Sequence, residues 1–224
     1  MCGGPVQSSD VSEWLRGNLT VLRNVGRVLL TQRRGNNAVS FDSHEVKFKL
    51  NKTTGTPNSI HTKTPLEVHS TIEEMMVVAN ATVASRIHQH YPQASLLRRH
   101  AAPNPLKTDA LNKLFLELGM PKDTNLSTTS LSTCMALAIQ CAQDDATKIS
   151  LVRNNAVKIM SEAKYFCTGT LTATNSLATM GHFGLGIAMY THFTSPIRRY
   201  ADVVVHRLLA TTLRGRGEND TNGT

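Results

Sequence analysis

Between residues 38 and 63 the spacing of apolar residues changes from a helical to an extended period, and that change fixes the class of fold open to the chain. Upstream, Leu15, Leu19, Leu22, Val25 and Leu29 recur at helical spacing, which predicts a helix over residues 11–34 begun by Asp10 or Ser12 and ended by Gly35-Asn36-Asn37. Val46, Phe48 and Leu50 then alternate with Lys47 and Lys49. Period two predicts a β-hairpin of residues 38–41 and 45–50 around Asp42-Ser43-His44, with a third strand at 59–63 after the turn at Gly55-Thr56-Pro57. The helical period returns at Ile72, Met75, Ala79, Val83 and Ile87, predicting a helix over 71–90 with Ser70 or Thr71 and Glu74 as a capping box. Further helices are expected at 107–118, 130–142, 149–166 and 196–213, and a Thr/Ser-rich loop at 168–179. The expected class is therefore α/β in the α+β sense: helix-rich, with a sheet portion that contains a hairpin.

The charge balance narrows the partners. Lys and Arg outnumber Asp and Glu by 24 to 16, a net +8 with a pI near 9.6, which favours polyanions. The charge is uneven: no acidic residue lies between Glu74 and Asp109, nor between Glu162 and Asp202. No apolar run approaches the roughly 20 residues a bilayer-spanning helix needs, so no membrane partner is expected. The four cysteines (Cys2, Cys134, Cys141 and Cys167) form no C-x-x-C pair or zinc spacing. Three of them sit among apolar residues and read as small buried hydrophobes of a reducing compartment. The chain reads as intracellular, nuclear or cytoplasmic, with organelle import left open.

The run Tyr190–Leu209, YTHFTSPIRRYADVVVHRLL, carries the chemistry. Ser195 stands where an N-cap belongs and Pro196 where the first helical residue belongs. Arg198 and Arg199 follow in the first turn, where a cation opposes the helix dipole by a few tenths of a kcal/mol. An anion reverses the sign: free backbone N–H groups and guanidinium forks together form a phosphate site. The competing reading pairs the arginines with Asp202, which one guanidinium can occupy well and two cannot share. His192 and His206 read as hydrogen-bonded structural groups near the ends of this segment.

The segment His192–Leu209 resembles the signature near the end of the RNB catalytic domain of the RNase II and RNase R family, with Gly181-His182-Phe183-Gly184-Leu185 preceding it. IEEMMVVANATVA (residues 72–84) resembles the family's E-E-x-M-x-x-A-N helix, and LLRRHAAPNP (96–105) its R-x-H…P turn. The likeness covers residues 38–213, strongest in 72–107 and 163–213. LLRRH and Tyr165-Phe166-Cys167-Thr168-Gly169 look nearer to the eukaryotic exosome's catalytic exoribonuclease than to the bacterial enzymes.

That resemblance implies a 3′→5′ exoribonuclease that hydrolyses single-stranded RNA to nucleoside 5′-monophosphates. Arg198 would contact the phosphate at the cleavage site, as the catalytic residue. Ser195, Arg199, Glu73, Glu74, Asn80 and His192 would complete the RNA-binding set, with Asn80 and His100 also open to structural roles. Exosome subunits become candidate partners. Magnesium is expected for the full-length enzyme, held by an aspartate cluster of the form D-x-x-x-x-x-D-x-D-D. The eight aspartates here (10, 42, 109, 123, 144, 145, 202 and 220) do not form it. The expectation is thus a partial RNB domain without metal ligands: a helical segment at 1–37, the C-terminal part of the domain at 38–213 and a polar tail at 214–224. Such a piece would bind RNA without cleaving it. The alternative is a non-catalytic RNA-binding or exosome-assembly subunit that has lost the metal site.

Overall fold

A computed structural model describes residues 8–39, 46–51, 53–62, 66–127, 129–143, 145–171 and 179–217. Among the described residues six α-helices and four short strands follow in the order α1 (Ser8–Gly35), β1 (Val46–Leu50), β2 (Pro57–Thr62), α2 (Glu67–His90), β3 (Leu96–Arg99), α3 (Thr108–Glu117), α4 (Leu131–Cys141), α5 (Ala146–Ile159), β4 (Lys164–Cys167) and α6 (Tyr200–Gly217). The strands form two separate antiparallel ribbons, β1–β2 and β3–β4, which bears out the helix-rich α+β expectation.

The chain separates into two compact units, residues 1–30 with 41–75 and residues 31–40 with 76–224. In the first, β1 and β2 pair with Phe48 opposite Ile60 and a register shift between Lys49 and Leu50. The hairpin is therefore one element later than expected: residues 46–50 pair with the segment read as a third strand, around a turn in which Gly55 takes a left-handed φ of 68°. The expected strand at 38–41 is not seen at Ala38 and Val39, and its remainder lies outside the described residues. The later half of α1 meets the start of α2 where Gly26 faces Thr71; a Cβ there would lie 3.1 Å from the Thr71 backbone. Arg27 and Glu67 pair across the same contact.

In the second unit, Val83 and Ile87 of α2 pack with Val205 of α6, joined by Tyr91, Leu96, Phe193, Leu208 and Leu209. A neighbouring cluster sets Ala84 and Leu97 against Met180, with Phe166 and Met189 at its edge. Helices α3, α4 and α5 bury Leu111, Phe115, Met135, Ala138, Val152 and Ala156. The last two start by a local rule: Ser130 Oγ accepts from Thr133 N ahead of α4, and Asp145 Oδ1 accepts from Thr147 and Lys148 N ahead of α5. Asp145 is thus a helix cap, as its place at a helix boundary suggests, while Asp144 lies outside the described residues.

Several expected bounds are corrected. The helix foreseen over 149–166 stops at Ile159, and residues 164–167 become a strand against 96–99. The final helix begins at Tyr200 rather than Pro196 and runs to Gly217, into the segment read as a tail; residues 218–224 lie outside the described residues. Of the cysteines, Cys134 is buried, Cys141 half-buried and Cys167 exposed, so burial holds fully for only one; Cys2 lies outside the described residues. Among the described residues no helix is long and apolar enough to cross a membrane.

Candidate nucleic-acid interface

Asn80, near the middle of α2, is 3% exposed and spends its whole amide on one loop. Its Oδ1 accepts from the backbone N–H of Phe193 (2.9 Å) and Thr194 (3.2 Å), and its Nδ2 donates to Tyr190 Oη at 2.9 Å. The loop is held from two other sides: Thr191 Oγ1 donates to Leu96 O, and Arg98 N donates to Tyr190 O. Residues 190–194 are thereby pinned between α2 and β3. This structural role for Asn80, left open by the sequence, occupies both lone pairs of Oδ1 and one of the two Nδ2 hydrogens, and burial keeps the amide from solvent.

The loop continues into a turn rather than a helix. Pro196 restricts Ser195 to extended backbone, and Arg198 N donates to Ser195 O at 3.3 Å, a β-turn over Ser195-Pro196-Ile197-Arg198. Ser195 is therefore not the cap of α6. Its amide instead donates to Asp202 Oδ2 at 2.7 Å. Asp202, in the first turn of α6 and fully buried, also takes both prongs of Arg199, with Nε to Oδ1 at 2.8 Å and Nη2 to Oδ2 at 3.0 Å. Burial opposes ionisation of Asp202, yet the guanidinium and the Ser195 amide hold its carboxyl below the usual range. One carboxylate thus closes the turn and engages one of the two arginines.

Arg198 is left over. It is exposed, and its guanidinium makes no hydrogen bond or ion pair with a described residue. Behind it lies a ring of aromatic and basic groups. His192 and Tyr190 meet edge to face at 5.6 Å, as do His192 and Tyr165, and the Arg98 guanidinium lies 4.8 Å from the Tyr165 ring centre. Tyr165 Oη and His192 Nδ1 share a 2.5 Å hydrogen bond. Burial, with the positive fields of Arg199 and Arg98, pulls His192 down to about 4, so it is a neutral imidazole at pH 7. His206, expected to be structural, stacks on Phe193 at 4.2 Å and hydrogen-bonds Phe193 O through Nε2.

His100 acts as a clip. Its Nδ1 accepts from Gly184 N (3.0 Å) and its Nε2 lies 2.7 Å from Ser161 O, which fixes the tautomer with the proton on Nε2. A Cβ on Gly184 would sit 2.9 Å from that Nδ1, so the close approach requires glycine. His182, in the same loop, contacts His100 at 5.1 Å and Tyr190 at 5.3 Å.

The structure thus brings together Asn80, His192, Ser195, Arg198 and Arg199. Glu73 and Glu74 belong to the other compact unit, on the earlier turns of α2, with Glu74 buried and Glu73 exposed. Sequence reading passed over Tyr165, Tyr190 and Arg98 as site residues. For Tyr165 the misplaced end of α5 hid the signal. Among the described residues no three His, Cys, Asp or Glu side chains converge to hold a metal ion. The described residues therefore do not fit the magnesium site the resemblance implies, and no step below is routed through one.

The family model for the RNB domain matches residues 3–215. A Caenorhabditis elegans protein named probable exosome complex exonuclease RRP44 is 38% identical over 93% of this chain, and the match covers 21% of that protein. An Arabidopsis thaliana protein named inactive exonuclease DIS3L2 is 36% identical over 86% of the chain and 18% of its own length. Among solved structures, the apo form of Mycoplasma genitalium RNase R aligns with a TM-score of 0.68 at 25% identity, covering 93% of this chain and 30% of that one. The chain spans about a fifth of the length of the curated relatives it matches.

Proposed function

Because the chain belongs to the RNB-domain family, we propose that it supplies the RNA-phosphate-binding surface of a 3′→5′ exoribonuclease, with single-stranded RNA as substrate. The observation that carries this reading is the division of labour between adjacent arginines: Arg199 is engaged by a buried carboxylate, while Arg198 projects unpaired from the turn that carboxylate closes. A guanidinium held ready at a fixed place needs little reorganisation when a phosphate arrives, which is what transition-state stabilisation demands. His192, neutral and bonded to Tyr165, serves as packing behind Arg198 rather than as a charge. In the whole protein Glu73 and Glu74 are assigned to the terminal nucleotide. We place the protein in the nucleus or cytoplasm, with exosome subunits among its partners.

By itself the chain should hold RNA without cutting it, since a bound phosphate without an activated water keeps most of the hydrolytic barrier. The test uses the longer protein that contains this chain and RNA labelled at its 5′ end. Progressive shortening from the 3′ end is expected, slowed on the order of 10²–10³-fold by Arg198→Ala in single-turnover reactions. Early internal cuts, or equal rates with and without Arg198, would contradict the reading. Metal-dependent cleavage by the 224-residue chain, abolished by Arg198→Ala, would refute its assigned inactivity.

A further inference from the structure

The β3–β4 ribbon carries cations on both faces, and only one face belongs to the site above. Side chains alternate along a strand. The register therefore puts Arg98 and Tyr165 on one face, and Arg99 and Lys164, directly opposite each other, on the other. Arg99 is half-buried, its guanidinium 5.0 Å from the Phe166 ring centre. Neither the Arg99 guanidinium nor the Lys164 ammonium makes a hydrogen bond or ion pair with a described residue. Glu162 is the one acidic residue lining the same pocket, and it pairs with neither. A half-buried guanidinium without a counter-ion is an anion site awaiting its anion.

The space in front of these cations is a pocket of about 750 Å³, within the range of small-molecule sites. One wall is the loop that His100 clips, presenting Phe183 and Ile187; another offers the amides of Asn36 and Asn37. Gly186, with φ of 64°, shapes the far side, because a Cβ there would lie 2.7 Å from Asn36 O. His182 also lines the pocket, its imidazole kept neutral by burial, which draws it down to about 4.

We propose that this pocket binds a nucleoside monophosphate or a close relative. The phosphate sits between Arg99 and Lys164, and the heterocycle lies against Phe183 and Ile187. A bare phosphate would leave that apolar wall unused, so the nucleoside contributes to affinity. The site does not depend on Arg198 and does not rest on the function proposed above.

Calorimetric or NMR titrations of the chain with adenosine monophosphate, and separately with inorganic phosphate, test it. The nucleotide should bind at least tenfold tighter than phosphate. Arg99→Gln and Lys164→Ala should each weaken it tenfold or more, while Arg198→Ala leaves it unchanged. Lys164 is exposed, so that variant retains the fold, and unchanged thermal melting confirms this for both. No nucleotide binding at millimolar concentration, equal affinity for phosphate, or loss in Arg198→Ala instead of the ribbon variants would each overturn the proposal. RNA affinity measured on the same samples reports separately on Arg198.

Discussion

Asp202 accepts both Nε and Nη2 of Arg199, at 2.8 and 3.0 Å, while the same carboxylate takes the Ser195 amide at 2.7 Å. The pair is local in sequence yet ties the start of α6 to the turn before it, so its loss should be felt in stability before anything else. Arg199→Ala leaves a buried carboxylate without its counter-charge, which typically costs about 3–5 kcal/mol. Arg198→Ala, at an exposed and unpaired side chain, should stay within about 0.5 kcal/mol of the parent. Urea denaturation of the two variants measures this. Similar losses in both would mean that Arg199 is not the structural member of the pair.

Asn80 should act on RNA binding only through the loop it holds. Asn80→Ala strands the Phe193 and Thr194 amides that now donate to Oδ1, at a cost of about 1–3 kcal/mol for unsatisfied buried groups. Amide hydrogen exchange should speed up at residues 193 and 194 and little elsewhere in α2. Unchanged protection of those two amides would show that the loop is held by other means.

Acid should loosen this region ahead of its carboxylates. His192 and His182 are each drawn down to about 4, mainly by burial and then by neighbouring basic side chains: Arg199 and Arg98 for His192, His100 and Arg98 for His182. Since their unfolded value is about 6.5, the unfolded chain binds protons first as pH falls. The contribution to stability is therefore complete above about pH 6.5 and is lost between there and about 4. Asp202, lowered from its usual value, releases its share only below the ordinary carboxylate range. Denaturation midpoints at several pH values should decline across the histidine window, with a shallower slope in His192→Asn. A flat profile from pH 6.5 to 4.5 would contradict the assignment of neutral, buried imidazoles.

Much of this was legible in the sequence, and the failures have physical causes. The helical spacing of residues 15–29 and 72–87 located α1 and α2; Val83 and Ile87 of α2 are buried, while Leu15, Leu19, Leu22 and Val25 of α1 stay exposed. The β3–β4 ribbon was missed because neither Leu96-Leu97-Arg98-Arg99 nor Lys164-Tyr165-Phe166-Cys167 alternates in polarity, and each strand's partner is distant in the chain. The start of α6 was misread because Ser-Pro opens a β-turn as readily as a helix. The outcome was decided by a carboxylate seven residues downstream that captured the Ser195 amide. That one aspartate could not serve two arginines was visible in sequence; which arginine it would take required the geometry.

The central claim, that Arg198 is a phosphate contact on a preformed turn, is met most directly by the salt dependence of RNA binding. Fluorescent single-stranded oligoribonucleotides titrated with the 224-residue chain should show affinity falling log-linearly with salt, with little preference among base sequences. Arg198→Ala should weaken binding equally for every sequence and reduce the slope by about one phosphate contact. A slope and affinity unchanged by Arg198→Ala, in a variant of unaltered stability, would contradict the account.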